Sequence, residues 1–180
     1  MNKISISNIL KIKYIEIYPF KRLNEYIVKA IRIVLIHSAL LHRSTESLIL
    51  LNKNDKKLSF SITSNDKTDE VKLSNKMLKL LSIETNRYIA IHNHLKYTQF
   101  SLKDISTFLT NSNIETLIVI NNNCKEIAII YKRKATIEQM RLGMKLKVNE
   151  QINENKYYRL IQLLTEKYDI EYKEVVLWHS

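Results

Sequence analysis

His92 and His94 flank a single asparagine at the end of the apolar run Tyr88-Ile89-Ala90-Ile91, and Ser101 and Asp104 follow after a short loop. Two imidazoles and a carboxylate are a donor set from which hydrolytic zinc sites are built, with the fourth position left to a water whose pKa falls to about 7. The apolar run predicts a buried strand. Side chains two apart on a strand point to one face, so both rings can reach one ion. Ser101 to Thr110 predicts a helix with Ser101 as its N-cap, which places Asp104 in the first turn, facing back toward the strand end. Each piece has a plainer use: a serine with an acid three residues on is a capping-box variant, and a His-x-His pair at a strand end is often only solvated. What favours a metal is the joint spacing of strand, paired histidines, loop and capped helix.

The elements that must hold these residues are readable along the chain. Residues 22–42 predict a helix, 47–52 and 57–63 strands, 64–72 a polar loop, and 74–83 a second helix. Strands from Thr116 to Asn121 and from Glu126 to Lys132 predict a hairpin across Asn121-Asn122-Asn123. Leu10 to Ile17 alternates apolar and polar residues with one slip at Tyr14-Ile15, which predicts an amphipathic strand opening the sheet. From Thr136 onward Ile137, Met140 and Met144, then Tyr157, Leu160, Ile161 and Leu164, fall mostly at spacings of three and four. That pattern predicts helices, packed on the sheet or serving as a partner-binding arm. His37, inside the apolar stretch Ile33 to Leu41, is expected to be a satisfied core imidazole and not a ligand. The expected class is α/β, a central mixed sheet flanked by helices, with residues 1–134 as a metallohydrolase domain and 135–180 as a C-terminal helical appendage.

His92-Asn93-His94, six residues ending in Phe100, then Ser101-x-x-Asp104-Ile105 resembles the signature of the JAMM metalloprotease superfamily, also called MPN or JAB, in the bacterial and phage branch that includes RadC-like proteins. The resemblance spans roughly residues 22 to 132. It implies a cytidine-deaminase-like sheet, one zinc on His92, His94 and Asp104, and Ser101 supporting the oxyanion of a tetrahedral intermediate. It also implies a glutamate general base at the start of the strand after the first long helix, and Glu46 occupies that place, with Glu84 as the fallback. The implied reaction is hydrolysis of an amide or isopeptide bond in a protein or peptide. Two positions depart from the family pattern. Leu95 stands where proline usually follows the second histidine, and the closing strands turn through Asn121-Asn122-Asn123 instead of a glycine. Asparagine tolerates the left-handed conformation such a turn demands.

With 180 residues, 45% of them hydrophobic, the chain can bury a sizeable core. The one Gly and one Pro follow from an AT-rich coding bias as readily as from any structural class. A lone Cys124 leaves no partner for an internal disulfide, and neither a signal peptide nor an apolar run of membrane-spanning length is present. A reducing cytoplasm is expected, with no membrane association. The net charge of +11 is uneven: residues 1–45 carry eight Lys or Arg against two Glu, whereas 46–131 carry eleven against nine acids. The region of the candidate site is thus nearly neutral, and Lys132-Arg133-Lys134 forms the other basic run. Weak, non-specific retention of nucleic acid on this basic surface is expected, and self-association through the C-terminal helices. The rival to an enzyme is a non-catalytic interaction module on the same fold, phage-structural or DNA-associated.

Overall fold

The computed structural model describes residues 5–12, 24–40, 46–55, 58–59, 73–83, 85–95, 99–146 and 152–177. Its elements run α1 (Ile6–Lys11), α2 (Asn24–Leu40), β1 (Leu48–Asn52), β2 (Leu58–Ser59), α3 (Asn75–Leu81), β3 (Tyr88–His94), α4 (Leu102–Thr110), β4 (Ile114–Asn121), β5 (Glu126–Lys132), α5 (Ile137–Lys145), α6 (Glu154–Lys167) and β6 (Ile170–Val176). The six strands form one mixed sheet in the order β2-β1-β3-β4-β5-β6. Only β3 and β4 run parallel, and α4 is the crossover that a parallel pair requires. The expected α/β class with a mixed sheet holds.

Helices cover both faces, and the pleat decides what each strand residue meets. Ile89 and Ile91 of β3, with Ile49, Leu51, Ile118 and Ile120 beside them, pack under Ile27, Ile31, Val34 and Leu35 of α2. The alternate residues Tyr88 and Ala90, with Leu48, Leu50, Leu117 and Val119, pack under α3, α4 and α6 through Met77, Ile105, Phe108 and Ile161. Because both faces are covered, the middle strands read as continuous apolar runs without alternation. His92 and His94 continue the Ala90 side, so they emerge on the face where α4 begins.

Two sequence expectations need correction. Leu10 and Lys11 belong to helix α1, not to an opening strand. Ile9 and Ile12 are the buried residues there, a helical spacing, and Arg32 of α2 caps the end by donating from Nε and Nη2 to the Ile12 carbonyl at 3.0 and 2.6 Å. Residues 13–17 of that expected strand lie outside the described residues, as do the loop 64–72 and most of 57–63. The C-terminal region is also not wholly helical. After α6, Asp169 takes φ 51° and turns the chain into β6, which pairs antiparallel with β5 over its full length. Ile170 enters the same core as α6, so this region extends the sheet as well as covering it.

The turn between β4 and β5 behaves differently from the asparagine argument. Its left-handed residue is the buried Cys124, at φ 62°. The asparagines contribute hydrogen bonds: the Asn121 carbonyl accepts from the Cys124 N–H at 3.0 Å, and Asn123 Oδ1 accepts from the Lys125 N–H at 2.8 Å. Side-chain closure of this kind is the other way asparagine builds turns.

Candidate metal centre

Strand β3 delivers His92 and His94 to one face, and helix α4 delivers Asp104 to the same point. His92 Nε2 and His94 Nε2 lie 2.9 Å apart with the ring planes inclined by 68°. Asp104 closes the triangle, with Oδ1 3.2 Å from His92 Nε2 and Oδ2 3.2 Å from His94 Nε2. Among the described residues this is the only group of three or more His, Cys, Asp or Glu side chains placed to hold a metal ion. Tetrahedral bonds of roughly 2.0–2.1 Å to nitrogen or oxygen give ligand edges of about 3.3 Å, so the triangle needs to open by only a few tenths of an ångström to seat an ion. Two imidazoles aimed nitrogen to nitrogen beside a carboxylate are the donor types that such an ion takes.

Asp104 is fixed by its own helix. Its N–H donates to Ser101 Oγ at 3.1 Å, while its Oδ2 accepts from the Ser101 N–H at 2.8 Å and from the Ser101 hydroxyl at 2.7 Å. The capping box expected from the sequence is therefore present, and it holds the carboxylate toward the strand end. The Ser101 hydroxyl is thus engaged as a donor to Asp104.

Burial opposes charge at this site and the partners reverse it in two of three groups. His92 is pulled below the usual imidazole range, burial outweighing the Asp104 carboxylate beside it. His94 is equally desolvated, but its hydrogen bond with Asp104 and the charges of Asp104 and Glu46 raise it overall; a bond to the Gln99 backbone adds to this. Asp104 also suffers burial, yet the two histidines hold it well below the usual carboxylate range.

Glu46 comes to the same place. It lies two residues before Leu48, the first residue of β1, which pairs with His92 across the antiparallel β1/β3 ladder, and its charge acts on His94. Glu46 also lines a cavity of about 270 Å³ together with His92 and Asp104. All five residues singled out in the sequence thus converge at one end of the sheet. Glu84 lies outside the described residues.

A buried polar cluster behind the histidines has no counterpart in the sequence reading. Asn93 points to the α2 face, fully buried, where its Oδ1 accepts from the Ser47 N–H at 2.8 Å. Its Nδ2 donates to Ser38 Oγ at 3.2 Å and to Asn122 Oδ1 at 2.9 Å. Asn122 in turn donates its N–H to the His94 carbonyl at 3.1 Å. One side chain between the two histidines thereby ties β3 to α2, to the residue after Glu46 and to the β4/β5 turn. His37 joins the edge of this cluster: its Nδ1 and Ser47 Oγ are 2.9 Å apart, and burial lowers its pKa. It is hydrogen-bonded and half-buried, and sits outside the His92, His94 and Asp104 group. An Asn between two histidines was the available signal, unreadable without knowing which faces are covered.

The basic run Lys132-Arg133-Lys134 does not form the expected surface patch. Lys132 is buried, its Nζ donating to the carbonyls of Phe108 and Asn111 at 2.5 and 2.8 Å at the end of α4. Burial brings its ammonium down to about 7 despite the nearby Glu115. Arg133 is engaged by Glu171 of β6 at 2.9 Å, which leaves Lys134 as the exposed cation without a described ion pair. No described helix is long and apolar enough to cross a membrane. A scan against protein-family models and a search of curated proteins find no match to this chain.

Proposed function

We propose that the protein is a zinc-dependent metallopeptidase or isopeptidase that hydrolyses an amide bond, with His92, His94 and Asp104 as the metal ligands. The observation that carries this reading is the convergence of a two-imidazole, one-carboxylate triangle with a further carboxylate, Glu46, in the lining of one cavity. Zinc there would supply Lewis-acid polarisation of the scissile carbonyl and a water acidic enough to deprotonate near neutral pH. Glu46 takes the proton of the attacking water and returns it to the leaving nitrogen. Ser101 turns its hydroxyl from Asp104 Oδ2 to the developing oxyanion, a donor worth roughly 2 to 4 kcal/mol in the transition state. His94 holds its orientation through the Gln99 backbone, and Asp104 through the capping box, so neither ligand needs to search for its place.

The engagement of the Ser101 hydroxyl by Asp104 favours a second reading, a non-catalytic module that keeps the fold and the polar triad without turnover. One experiment separates the two. Metal content is measured by mass spectrometry after zinc loading and dialysis, and peptide-mixture hydrolysis is followed for the parent and Glu46→Gln. Stoichiometric zinc in both proteins with hydrolysis in the parent alone supports the peptidase. A parent that retains zinc and cleaves nothing supports the module, and a parent that cannot be loaded refutes the metal centre.

A further inference from the structure

The cavity beside the triad has walls of two kinds. One wall is polar, with Glu46, His92, Lys103 and Asp104; the other is apolar, with Ala90 of β3, Leu48 of β1, Leu117 of β4, Phe108 of α4 and Ile114. Its floor is set by the pleat, because Ala90 and His92 are consecutive residues on one face of β3, about 7 Å apart at roughly 3.3 Å per residue. Ala90 is the small residue in that row. Its neighbours across the ladders are Leu50 and Leu117, so one methyl group stands between two isobutyl groups in that row. At about 270 Å³ the cavity lies at the lower edge of the range for small-molecule sites, roughly 300–1,000 Å³, and has ample room for an aliphatic side chain.

We infer that this cavity is a specificity pocket for a leucine-sized aliphatic side chain of the residue beside the scissile amide; the inference rests on the peptidase reading. The polar end would hold the reacting amide while the aliphatic group lies over Ala90, one residue's reach from the ligands. Burying such a side chain is worth about 1.5–3 kcal/mol, or roughly a 10- to 100-fold preference over glycine at the same position. A charged side chain placed over Ala90, against Leu48, Leu117, Phe108 and Ile114, would be desolvated there, whereas Lys103, Glu46 and Asp104 confine charge to the other wall.

The test uses 3-methylbutan-1-ol, the alcohol that carries the leucine side chain, followed by methyl NMR on the full chain with and without zinc. Shifts concentrated on the methyl groups of Leu48, Ala90, Ile114 and Leu117, and abolished in Ala90→Leu, are the expected result. Ala90→Val adds only two methyl groups and serves if Ala90→Leu fails to fold; it should weaken the alcohol about fourfold or more. In parallel, peptide-mixture cleavage by the zinc-loaded parent should show a leucine, isoleucine or methionine preference at one position flanking the cut, and Ala90→Val should flatten it with zinc content unchanged. Absent shifts, shifts that survive both variants, or cleavage indifferent to the flanking side chain would overturn the pocket while leaving the metal centre standing. Pocket shifts in a protein that cannot be loaded with zinc would overturn the peptidase and uphold the aliphatic site.

Discussion

Asn93→Ala should destabilise this protein far more than its small volume suggests. The substitution removes the acceptor of the Ser47 N–H at 2.8 Å and the donor to Asn122 Oδ1 at 2.9 Å, both in the interior, along with the 3.2 Å bond to Ser38. The Ser38 hydroxyl can rotate to other acceptors. The Ser47 amide is fixed by the backbone, and the Asn122 side-chain oxygen would have to turn out of a buried cluster to find another donor; each buried group deprived of its partner costs about 1–3 kcal/mol. We expect a loss of about 3–5 kcal/mol, a large share of a total that for domains is on the order of 5–15 kcal/mol. Urea unfolding of the metal-free protein measures it as a fall in midpoint at constant slope. Ile91→Val, two residues earlier on the same face, is the control and should cost only about 0.5–1.5 kcal/mol. The same loosening should weaken zinc about 10-fold or more, because Asn93 orders the strand end that carries both histidines. A change below about 1 kcal/mol would refute the idea that this cluster supports the site.

Three further outcomes can be checked. Zinc binding must displace the proton of His94, whose metal-free pKa lies above the ordinary 6.5, so apparent affinity should begin to fall while pH is still above 6.5; a flat affinity between pH 8 and 6 contradicts the geometry. Lys132 has a folded pKa near 7 against 10.5 unfolded, so the unfolded chain binds the extra proton between those values and stability should rise with pH from about 7 to 10.5. Lys132→Met should lose that slope, and should lower stability by about 1–2 kcal/mol through the uncapped α4 carbonyls; an unchanged slope in pH-dependent melting rejects this assignment. Gly143→Ala should destabilise by about 1–3 kcal/mol in chemical denaturation, since its new Cβ would stand 2.8 Å from Leu109 Cβ and 3.1 Å from the Ser106 carbonyl, prising α5 from α4; a neutral result would mean the two helices pack less closely.

The parts of this molecule that are legible in the sequence are those governed by local rules. Ser101 and Asp104 define a helix start within four residues, and the buried strand before His92 follows from its apolar run; the structure places both where expected. Long-range pairing was less legible. Ile170 to Val176 is a short strand with mixed polarity whose identity comes from β5 beside it, so the helical spacing of α6 was carried too far along the chain. Leu10 and Lys11 alternate with their neighbours like a strand, yet burial of Ile9 and Ile12 under α2 selects the helix. Lys132 reads as one of three surface cations, and only the end of α4 explains why it points inward. Glu46 could be matched by order of elements, whereas its nearness to His94 depends on a strand register that the sequence does not state.

The capping box of α4 has a consequence for binding entropy. Side chains that become ordered only when a ligand arrives subtract about 0.5–1.5 kcal/mol each from affinity. The Asp104 carboxylate is already held by the Ser101 N–H and hydroxyl, so its rotational freedom disappears when the helix forms, before any ion is present. A cation bound there would meet a carboxylate with little freedom left to lose, and Ser101→Ala would return that freedom to Asp104, with weaker metal capture expected even though no proposed ligand had been removed.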